Sequence, residues 1–390
     1  MTDTAGRPPG PGPSATGNGP RRRRRRLLRN SALSAAVLLL AAAGAGWAVY
    51  ARLSANITAD EAAAAELARY ERERPTALVR GAQNILLIGS DTRAGDGNQA
   101  YGKGIRGERS DTTILLHLAA GRAGATAVSL PRDLMVDIPS CRRADGRRSD
   151  PVFAMFNHAF EMGGSACTVR TAELLTGIRI DHHLVVDFSG FKEMVDAVDG
   201  VRVCLKEPVD DKAAKLRLPA GKVTLDGEQA LGYVRARKSL GNGSDTERMD
   251  RQQRFLGALV DKVRGDDVLL NPVKLYPLLD AATSALTTDP ELASLRGLYQ
   301  LARGLRDIPT AQVRFLTVPR KSYVYDANRD QLVEPEAEEL FARLRADQPV
   351  AVSRENSPGV PRRDTGAGGP DGPSPVPTFR GYTAAEHTCE

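Results

Sequence analysis

An uncharged stretch near the N-terminus constrains this chain more than any other feature of the sequence. Residues 31–51 carry no charged side chain and consist mainly of Ala, Leu and Val. About 20 such residues span a bilayer, and a spanning segment must satisfy its backbone hydrogen bonds internally, as a helix does. The sequence therefore predicts a transmembrane helix over residues 31–51, in contact with a lipid bilayer, with the larger part of the chain folding beyond it.

Basic side chains precede this stretch. Residues 1–30 hold eight arginines and one aspartate, a charge of +7, and because the whole chain carries +6 the remainder carries −1. The positive-inside rule places residues 1–30, which we expect to be disordered, in the cytoplasm and everything after residue 51 outside. A cleaved secretory signal peptide, whose apolar core is usually about 7–15 residues, is one alternative. A nucleic-acid-binding arm is another, and the near-neutral remainder of the chain disfavours it.

The rest of the chain divides by composition. Residues 52–81 are rich in Ala, Glu and Arg and predict a polar linker helix outside the membrane. Residues 82–350 alternate short apolar runs with helical patterns and predict one mixed α/β domain. Residues 351–390 are rich in Pro, Gly and Ser and predict a disordered tail. Within the domain, the later elements that we expect are helices at 153–160, 168–176, 188–198 and 334–347 and strands at 178–181, 184–188, 201–205 and 313–318.

Acidic and basic residues flank the first three predicted strands of the domain. The strands cover residues 84–88, 112–118 and 125–130, and a short turn between the last two favours an antiparallel hairpin. If the first pair is also antiparallel, one sheet edge gathers four charged side chains, those of Asp91, Arg109, Asp111 and Arg132. Carboxylates hold divalent cations and guanidiniums hold phosphates, so this edge predicts phosphoryl chemistry. The alternative is that these are ordinary solvated loop charges.

A second basic cluster lies between two predicted helices. Asp226 opens the first helix with capping-box spacing, and that helix ends in Arg235 and Arg237. The next helix begins near residue 245 and presents Arg248 and Gln252, four residues apart, on one face. Arginines at a helix start favour anion binding, because free backbone N–H groups add to their charge. A solvated basic helix end is the alternative.

Four cysteines and two adjacent histidines are further candidates for disulfide or metal chemistry. The cysteines have no metal-ligand spacing. Cys141 and Cys167 lie in loops, where they can form a disulfide outside the cytoplasm or remain free thiols. Cys204 lies in an apolar run and is predicted to be a buried core thiol, and Cys389 cannot be placed. His182 and His183 point to opposite faces if they lie on a strand, so they do not readily share a metal.

Seven short strings together resemble the LytR–CpsA–Psr (LCP) family, of the actinobacterial type. They occur in the family's order over roughly residues 82–265 and read NILLIGSDTR (84–93), RSDT (109–112), VSLPRD (128–133), NHA with GG (157–159, 163–164), IDHH with VDF (180–183, 186–188), VDAVDGV (195–201) and GEQALGYVRAR with RQQ (227–237, 251–253). The resemblance implies an α/β/α fold with a central mixed sheet flanked by helices, behind one N-terminal transmembrane helix. It also implies an apolar tunnel for a polyprenyl chain, which we expect among helices at 153–162, 171–175, 188–198 and 255–260.

The resemblance also implies a function and a set of site residues. Family members transfer a cell-wall glycopolymer, such as a teichoic acid, from an undecaprenyl-pyrophosphate carrier to a peptidoglycan hydroxyl, leaving a phosphodiester. The residues that match the family's Mg²⁺ site are Asp91 and Asp111. Those that match its catalytic, pyrophosphate-holding arginines are Arg109, Arg132, Arg235 and Arg237, and those that match substrate-binding positions are Arg93, Arg248, Gln252 and Gln253. Asp111, or another carboxylate nearby such as Asp133, is also the catalytic candidate that accepts the proton of the attacking sugar hydroxyl.

Two other functions stay open at this point. The same Mg²⁺ and arginines suit a polyprenyl-pyrophosphate hydrolase that uses water as the nucleophile. The other is a non-catalytic envelope protein that binds polyprenyl lipids or regulates transcription. For direct regulation, a DNA-binding fold would have to lie in the predicted cytoplasmic segment, which holds only residues 1–30 and carries no such pattern. We therefore expect no nucleic-acid partner.

Overall fold

The computed structural model describes residues 19–90, 110–212, 214–236, 245–265, 272–353 and 376–386. The chain divides into two compact units, residues 1–52 and 53–390. The prediction of disorder for residues 1–18 lies outside the described residues.

In the described part of the first unit, the chain forms one long helix, which continues a few residues into the second unit. Helix α1 (Gly19–Asn56) includes a part, Leu28–Asn56, that is long and apolar enough to cross a membrane. Large apolar side chains such as Leu40 and Trp47 are more than two-thirds exposed along it, as a lipid-facing surface requires. The helix begins at Gly19, so the expectation of disorder is wrong for residues 19–30: Arg and Leu are good helix formers and extend it from the apolar part.

A mixed sheet forms the centre of the second unit. Within the described residues it has nine strands. The strand β2 (Gln83–Ser90) is antiparallel to β3 (Ser110–Leu118) and parallel to β7 (His182–Val186). The hairpin of β3 and β4 is antiparallel, so the predicted topology of the first three strands is confirmed. The strands in spatial order are β1 (Thr58–Ala59), β12 (Leu286–Thr288), β7 (His182–Val186), β2 (Gln83–Ser90), β3 (Ser110–Leu118), β4 (Ala125–Leu130), β13 (Val313–Thr317), β17 (Thr378–Thr383) and β16 (Ala351–Ser353).

The described segments also contain four two-stranded ribbons outside this sheet. Two of these ribbons begin just after strands β4 and β13 of the sheet end, near the predicted charged edge. The ribbons are β5 (Met135–Ile138) with β6 (Val152–Met155), β8 (Val201–Leu205) with β11 (Gly221–Leu225), β9 (Val209–Asp211) with β10 (Leu216–Leu218), and β14 (Arg320–Tyr323) with β15 (Asp326–Leu332).

Helices cover both faces of the sheet, because consecutive strand residues point to opposite sides. Leu86 and Leu115 pack toward one face, whereas Ile85 and Ile114 pack toward the other. The mixed α/β fold with helices around a central sheet is therefore confirmed. The helices on the first face are α2 (Glu61–Arg69), α3 (His158–Thr176) and α9 (Glu336–Arg345), and those on the second are α4 (Phe188–Ala197), α5 (Gly227–Arg235), α6 (Asp245–Gly265), α7 (Pro272–Ala285) and α8 (Leu295–Arg306).

The predicted linker helix is instead part of the folded unit. Residues 52–81 contain the end of α1, strand β1 and helix α2, and β1 pairs with β12 in the central sheet. Arg74 then forms an ion pair of 2.8 Å with Glu173 of α3, and the two side chains are 10% and 3% exposed. A buried pair of this kind ties the segment to the domain, since either charge alone would be costly to bury.

Three other predicted elements differ from the structure. Residues 153–155 belong to β6 and not to a helix, because a short apolar run is ambiguous and pairing with β5 decides its conformation. Residues 178–181 were expected to form a strand and do not, whereas the strand expected at 184–188 is present as β7, His182–Val186. The tail is ordered in part: β16 and β17 extend the central sheet, so the expectation of disorder is wrong for residues 351–353 and 376–386.

Two cysteine predictions are also resolved. Cys141 and Cys167 form a disulfide, which packs against Gly163 at a kink in α3. Cys204 is exposed and disulfide-bonded, so its assignment as a buried free thiol is wrong. The alternating pattern of β8 explains this, since it turns Val203 inward and Cys204 outward. Cys389 lies outside the described residues.

Candidate active site

A cavity of about 630 Å³ lies between the second face of the sheet and helices α4 to α6. Its wall is mostly apolar, and polar side chains occur at the end of the cavity that lies beside the last residues of β2 and the first residues of β3. The apolar lining comes from Leu87, Ile88, Ile114, Leu184, Val186, Phe188, Phe191, Met194, Ala214, Leu231, Val234, Ala236, Phe255, Leu256, Leu259 and Leu286, and the polar lining from Asp111, Thr112, Arg132, Asp187, Asp211, Arg235, Arg248 and Gln252.

The cavity has this wall because three helices present an apolar stripe to the sheet. Phe188, Phe191 and Met194 recur every three residues on α4, and Phe255 and Leu259 are four apart on α6. The predicted lining is therefore correct for helices at 188–198 and 255–260. It is wrong for 153–162 and 171–175, because α3 packs against the opposite face of the sheet.

Asp111 reaches the cavity because of a β-bulge. Gly89 pairs with Thr112 and Ser90 pairs with Ser110, so Asp111 is the extra residue of β3. In a regular strand Asp111 and Thr112 would point to opposite faces, whereas here both line the cavity. The bulge thus adds a carboxylate to the end of an otherwise apolar wall.

Arg132 faces this carboxylate from the end of β4. Its Nη1 donates a hydrogen bond of 2.8 Å to Asp111 Oδ1, and its Nε donates one of 3.2 Å to Asp133 Oδ2. Burial lowers the pKa of Arg132, but Asp133, Asp111 and Asp245 outweigh that effect and raise the pKa above its ordinary value. The guanidinium therefore stays charged and is fixed in orientation, as binding of a phosphate group requires.

Arg235 approaches the cavity from the last turn of α5. Its guanidinium carbon lies 4.6 Å from the centroid of the Phe188 ring, a cation–π contact. The end of α5 is held by α6: Arg251 Nε donates to Tyr233 O at 2.8 Å, Arg251 Nη2 donates to Ala236 O, and Gln252 Nε2 donates to Val234 O at 3.2 Å. These bonds satisfy carbonyls that a helix end leaves open, so they position Arg235.

Arg248 is the third cation at this end of the cavity. It is 5% exposed and pairs with Asp245, one turn earlier, at 2.5 Å. Gln253, by contrast, does not line the cavity. It is 1% exposed, and its Nε2 donates to Ser129 Oγ at 2.7 Å and to Thr317 Oγ1 at 3.1 Å. We therefore correct the assignment of Gln253 from substrate binding to anchoring α6 on the sheet, because residues 252 and 253 point in directions about 100° apart on a helix.

The structure thus brings together, among the residues that it describes, five of the predicted site residues: Asp111, Arg132, Arg235, Arg248 and Gln252. Four other predicted site residues, Asp91, Arg93, Arg109 and Arg237, lie outside the described residues. Neither Asp245 nor Phe188 was predicted from the sequence as a partner of an arginine. The pairing of Asp245 with Arg248 could have been predicted, because the two residues are three apart on a predicted helix.

The two adjacent histidines lie elsewhere. His182 contacts Asp289 at 3.1 Å and His183 contacts Asp60 at 3.4 Å, so they point to opposite faces as expected. In the described part of the chain, His182, Asp289 and Glu291 bring one possible ligand atom each to within 4.8 Å of the others. His182 pairs with Ile85, four residues along β2 from Gly89, so this group lies toward the other end of the strands from Asp111.

The fold and this cavity define an α/β protein with an apolar cavity that carries arginines and an aspartate at one end. The sequence pattern of the LytR_cpsA_psr family matches residues 53–346, and this chain belongs to that family. It is 36% identical over 271 residues to the probable cell wall biosynthesis protein LcpB of Corynebacterium glutamicum, which covers 67% of this chain and 61% of the relative. The chain thus spans less than two thirds of that relative.

Other relatives and solved structures agree with this assignment. The chain is 30% identical over 263 residues to TagT of Bacillus subtilis, a polyisoprenyl-teichoic acid–peptidoglycan teichoic acid transferase, with 65% of this chain and 75% of TagT aligned. Its fold is similar to that of a LytR-Csp2A-Psr enzyme from Actinomyces oris, with a TM-score of 0.55, 22% identity, and coverage of 70% of this chain and 93% of that one.

Proposed function

We propose that this protein transfers a cell-wall glycopolymer from a polyprenyl-pyrophosphate carrier to a hydroxyl of peptidoglycan and leaves a phosphodiester bond. The observation that carries the proposal is the cavity, in which an apolar wall of three helices and a sheet meets Asp111, Arg132, Arg235 and Arg248 at one end. A ligand that fits both parts has a long hydrocarbon chain and a charged phosphate head. The names of relatives such as TagT describe the same substrate class.

The reaction requires positioning and charge neutralisation more than covalent help from the protein. The acceptor hydroxyl oxygen forms a bond to the phosphorus that bears the glycopolymer, and the bond from that phosphorus to the bridging oxygen of the pyrophosphate breaks. The leaving group is the polyprenyl phosphate. Arg132, Arg235 and Arg248 neutralise the charge that accumulates on the phosphate oxygens.

Asp111 is our candidate for the proton acceptor. Its side chain is 30% exposed, lines the cavity, and is held by Arg132. Asp133 is the alternative carboxylate, but it does not line the cavity and is paired with Arg132 and Arg329. In our proposal Asp111 accepts the proton of the acceptor hydroxyl as the new phosphorus–oxygen bond forms.

The donor set at this end also fits Mg²⁺. Carboxylate oxygens are the ligands that Mg²⁺ prefers, and Asp111 offers one at the mouth of the cavity, with Asp91 as the second candidate ligand from the sequence. Asp91 lies outside the described residues, and its part in the site is inferred from the sequence and the resemblance alone. A bound Mg²⁺ would neutralise charge on the pyrophosphate oxygens.

The location of the reaction follows from helix α1. We propose that the apolar part of α1 within Leu28–Asn56 crosses the cell membrane once, with the arginine-rich N-terminus in the cytoplasm and the residues that follow α1 outside. The disulfide between Cys141 and Cys167 supports an external location, because such bonds persist in oxidising compartments.

A reconstituted transfer assay tests the proposal. The full chain in lipid nanodiscs is incubated with a polyprenyl-pyrophosphate-linked oligosaccharide, nascent peptidoglycan and Mg²⁺, and products are read by mass spectrometry. We expect a phosphodiester adduct that Arg132→Ala reduces by about 10²–10³-fold. Asp111→Asn should reduce it further and should shift the Mg²⁺ dependence, whereas Asp145→Asn, at an exposed loop, should not.

Two results would contradict the proposal. Free polyprenyl phosphate without any adduct, under conditions in which Arg132→Ala abolishes its release, would establish the hydrolase. If Asp111→Asn keeps full activity and an unchanged Mg²⁺ dependence, Asp111 is neither the proton acceptor nor a Mg²⁺ ligand.

A further inference from the structure

Three aromatic side chains form an exposed surface close to the candidate active site, and we call it the aromatic platform. It consists of Phe153 on β6 and Tyr323 and Tyr325 at the tip of the β14–β15 hairpin. Phe153 is 50% exposed and Tyr325 is 85% exposed. The ring centroids of Phe153 and Tyr323 are 6.2 Å apart, and those of Tyr323 and Tyr325 are 5.4 Å apart at 65° to each other.

A chain of direct contacts joins the platform to the cavity mouth. Arg132 bonds to Asp133, and Asp133 lies 3.9 Å from Arg329 of β15. Arg329 in turn contacts the sulfur of Met155. Met155 and Phe153 are two residues apart on β6, so they lie on the same face of that ribbon. Two side chains, those of Arg329 and Met155, therefore separate the platform from Asp133, the partner of Arg132.

Backbone pairing fixes this arrangement. The amide of Asp330 donates to the carbonyl of Asp133 at 3.0 Å, which holds β15 against the chain that leaves the site. Asp330 also pairs with Arg320 across the hairpin. The position of the aromatic rings is thus coupled to the position of Arg132 through ordered strands and not through a long loop.

Packing of the fold does not account for the platform. Three neighbouring aromatic rings at one exposed place, with Val324 at 70% exposure between the two tyrosines, form a contiguous apolar patch. Patches of this kind mark binding surfaces, whereas single exposed apolar residues do not. Tyrosine suits such a surface because it offers an apolar ring face and a hydroxyl that can remain hydrated.

The polar rim indicates what the platform binds. Asp137, which pairs with Phe153 across the β5–β6 ribbon, is exposed, and Asn328 is exposed near Tyr325 on the hairpin. Carboxylate and amide groups beside flat aromatic faces suit a pyranose ring, whose C–H groups pack on the rings while its hydroxyls bond to the rim. The Asp137 carboxylate would repel anionic lipid headgroups, which disfavours contact with the membrane surface.

We propose that the aromatic platform binds the glycan backbone of the acceptor, so that a hydroxyl of a neighbouring sugar reaches Asp111 and Arg132. This inference rests on the proposed transferase function and adds the acceptor subsite to it. The donor occupies the apolar cavity, and the acceptor arrives over the β5–β6 and β14–β15 ribbons on the other side of Arg132.

A binding measurement tests the platform without requiring transfer. The full chain in nanodiscs is titrated with a soluble, uncrosslinked oligosaccharide of the peptidoglycan backbone, and the Kd is measured by calorimetry. We expect Phe153→Ala and Tyr325→Ala each to weaken binding by about tenfold, the loss of one stacking contact. Tyr325→Phe keeps the ring and should bind as the wild type does. Tyr299→Ala, at an exposed tyrosine of α8, should also leave the Kd unchanged.

Transfer kinetics then separate this inference from the proposed function. In the platform variants the acceptor KM should rise about tenfold, while kcat and the donor KM stay unchanged. If Phe153→Ala and Tyr325→Ala keep the Kd and the acceptor KM of the wild type, the platform does not bind the acceptor. That result would contradict this inference but not the proposed transferase function. Glycan binding that depends on the rings, with no transfer by the wild type, would overturn the transferase instead. Loss of binding to phosphatidylglycerol vesicles, with unchanged glycan Kd, would assign the platform to the membrane and overturn the inference.

Discussion

Arg251 should control activity although it does not line the cavity. It is 8% exposed, and it donates to the carbonyls of Tyr233 and Ala236, on either side of Arg235 in sequence. Replacement by methionine keeps the length of the side chain and removes both donors. The two carbonyls then lose their partners at the very turn that carries Arg235, so we expect both the stability of this turn and the position of the Arg235 guanidinium to change.

The magnitude follows from the two hydrogen bonds. Each bond to a charged group contributes about 1.5–3 kcal/mol, but Arg251→Met also removes a buried charge whose desolvation is unfavourable. We therefore expect the free energy of unfolding to fall by about 2–3 kcal/mol. A displacement of about 1 Å at a positioning residue can reduce the rate about 10²-fold, so kcat for transfer should fall by roughly that factor.

The assay combines thermal unfolding of the full chain in nanodiscs with transfer kinetics. Arg251→Lys retains one donor and should give intermediate values of both quantities. Arg254→Met is the matched control, because Arg254 lies one turn along the same helix with its side chain exposed. A variant Arg251→Met that unfolds earlier but transfers at the wild-type kcat would refute the reasoning, since the end of α5 would then not depend on these bonds.

Three further predictions concern the folded unit. Cys141→Ser should lower the free energy of unfolding by about 3–4 kcal/mol, from the entropy of closing the 26-residue separation. Because reductant also opens the disulfide of Cys204, the denaturant midpoints of wild type and variant should become equal when reductant is added to both. Gln253→Ala should lower the thermal midpoint but leave the donor KM unchanged, and a raised donor KM at normal stability would restore it to the substrate site. Burial raises the pKa of Asp60, but the neighbouring His183 imidazole, the Ser165 hydroxyl and the Ala63 amide outweigh it and lower the pKa to about 2 from 3.8. The stabilisation from Asp60 is therefore complete above about pH 4 and lost as the pH falls toward 2, so the stability difference between wild type and Asp60→Asn should disappear over that range.

The sequence was most informative where structure is determined locally. Short apolar runs ended by glycine or proline predicted β2, β3 and β4, and the short turn between the last two predicted their antiparallel pairing. The capping box at Asp226 predicted the start of α5, and the structure contains both of its hydrogen bonds. In each case the signal and the contact lie within a few residues of each other, so no tertiary information is needed.

Long-range pairing explains the main failures. Arg74 and Glu173 are 99 residues apart and look like surface charges in the sequence, whereas their mutual bond makes both of them buried. Strand β17 lies in a Pro- and Gly-rich region, and only its pairing with β13 and β16 reveals it as part of the sheet. Asp111 was expected at the site, but the bulge that turns it into the cavity depends on the register with β2, which the sequence of β3 does not contain.

Helix α6 shows how one element can select an amphiphilic ligand. Its cavity-facing residues follow one stripe, first the polar Arg248 and Gln252 and then the apolar Phe255, Leu256 and Leu259. From Arg248 to Leu259 the helix rises about 16 Å, at 1.5 Å per residue. The charged end of the stripe lies near Arg132, whose pKa is lowered by burial but raised overall by carboxylates that include Asp245, the partner of Arg248. The apolar end packs against α4, where the ring centroids of Phe255 and Phe191 are 5.5 Å apart. In the proposed function, a bound lipid phosphate would therefore lie in only one direction along the stripe. Inorganic pyrophosphate would contact only the first turn of the stripe, and a neutral hydrocarbon would contact only its apolar part. We therefore expect Leu259→Asp to weaken binding of the lipid-linked donor while leaving binding of inorganic pyrophosphate unchanged.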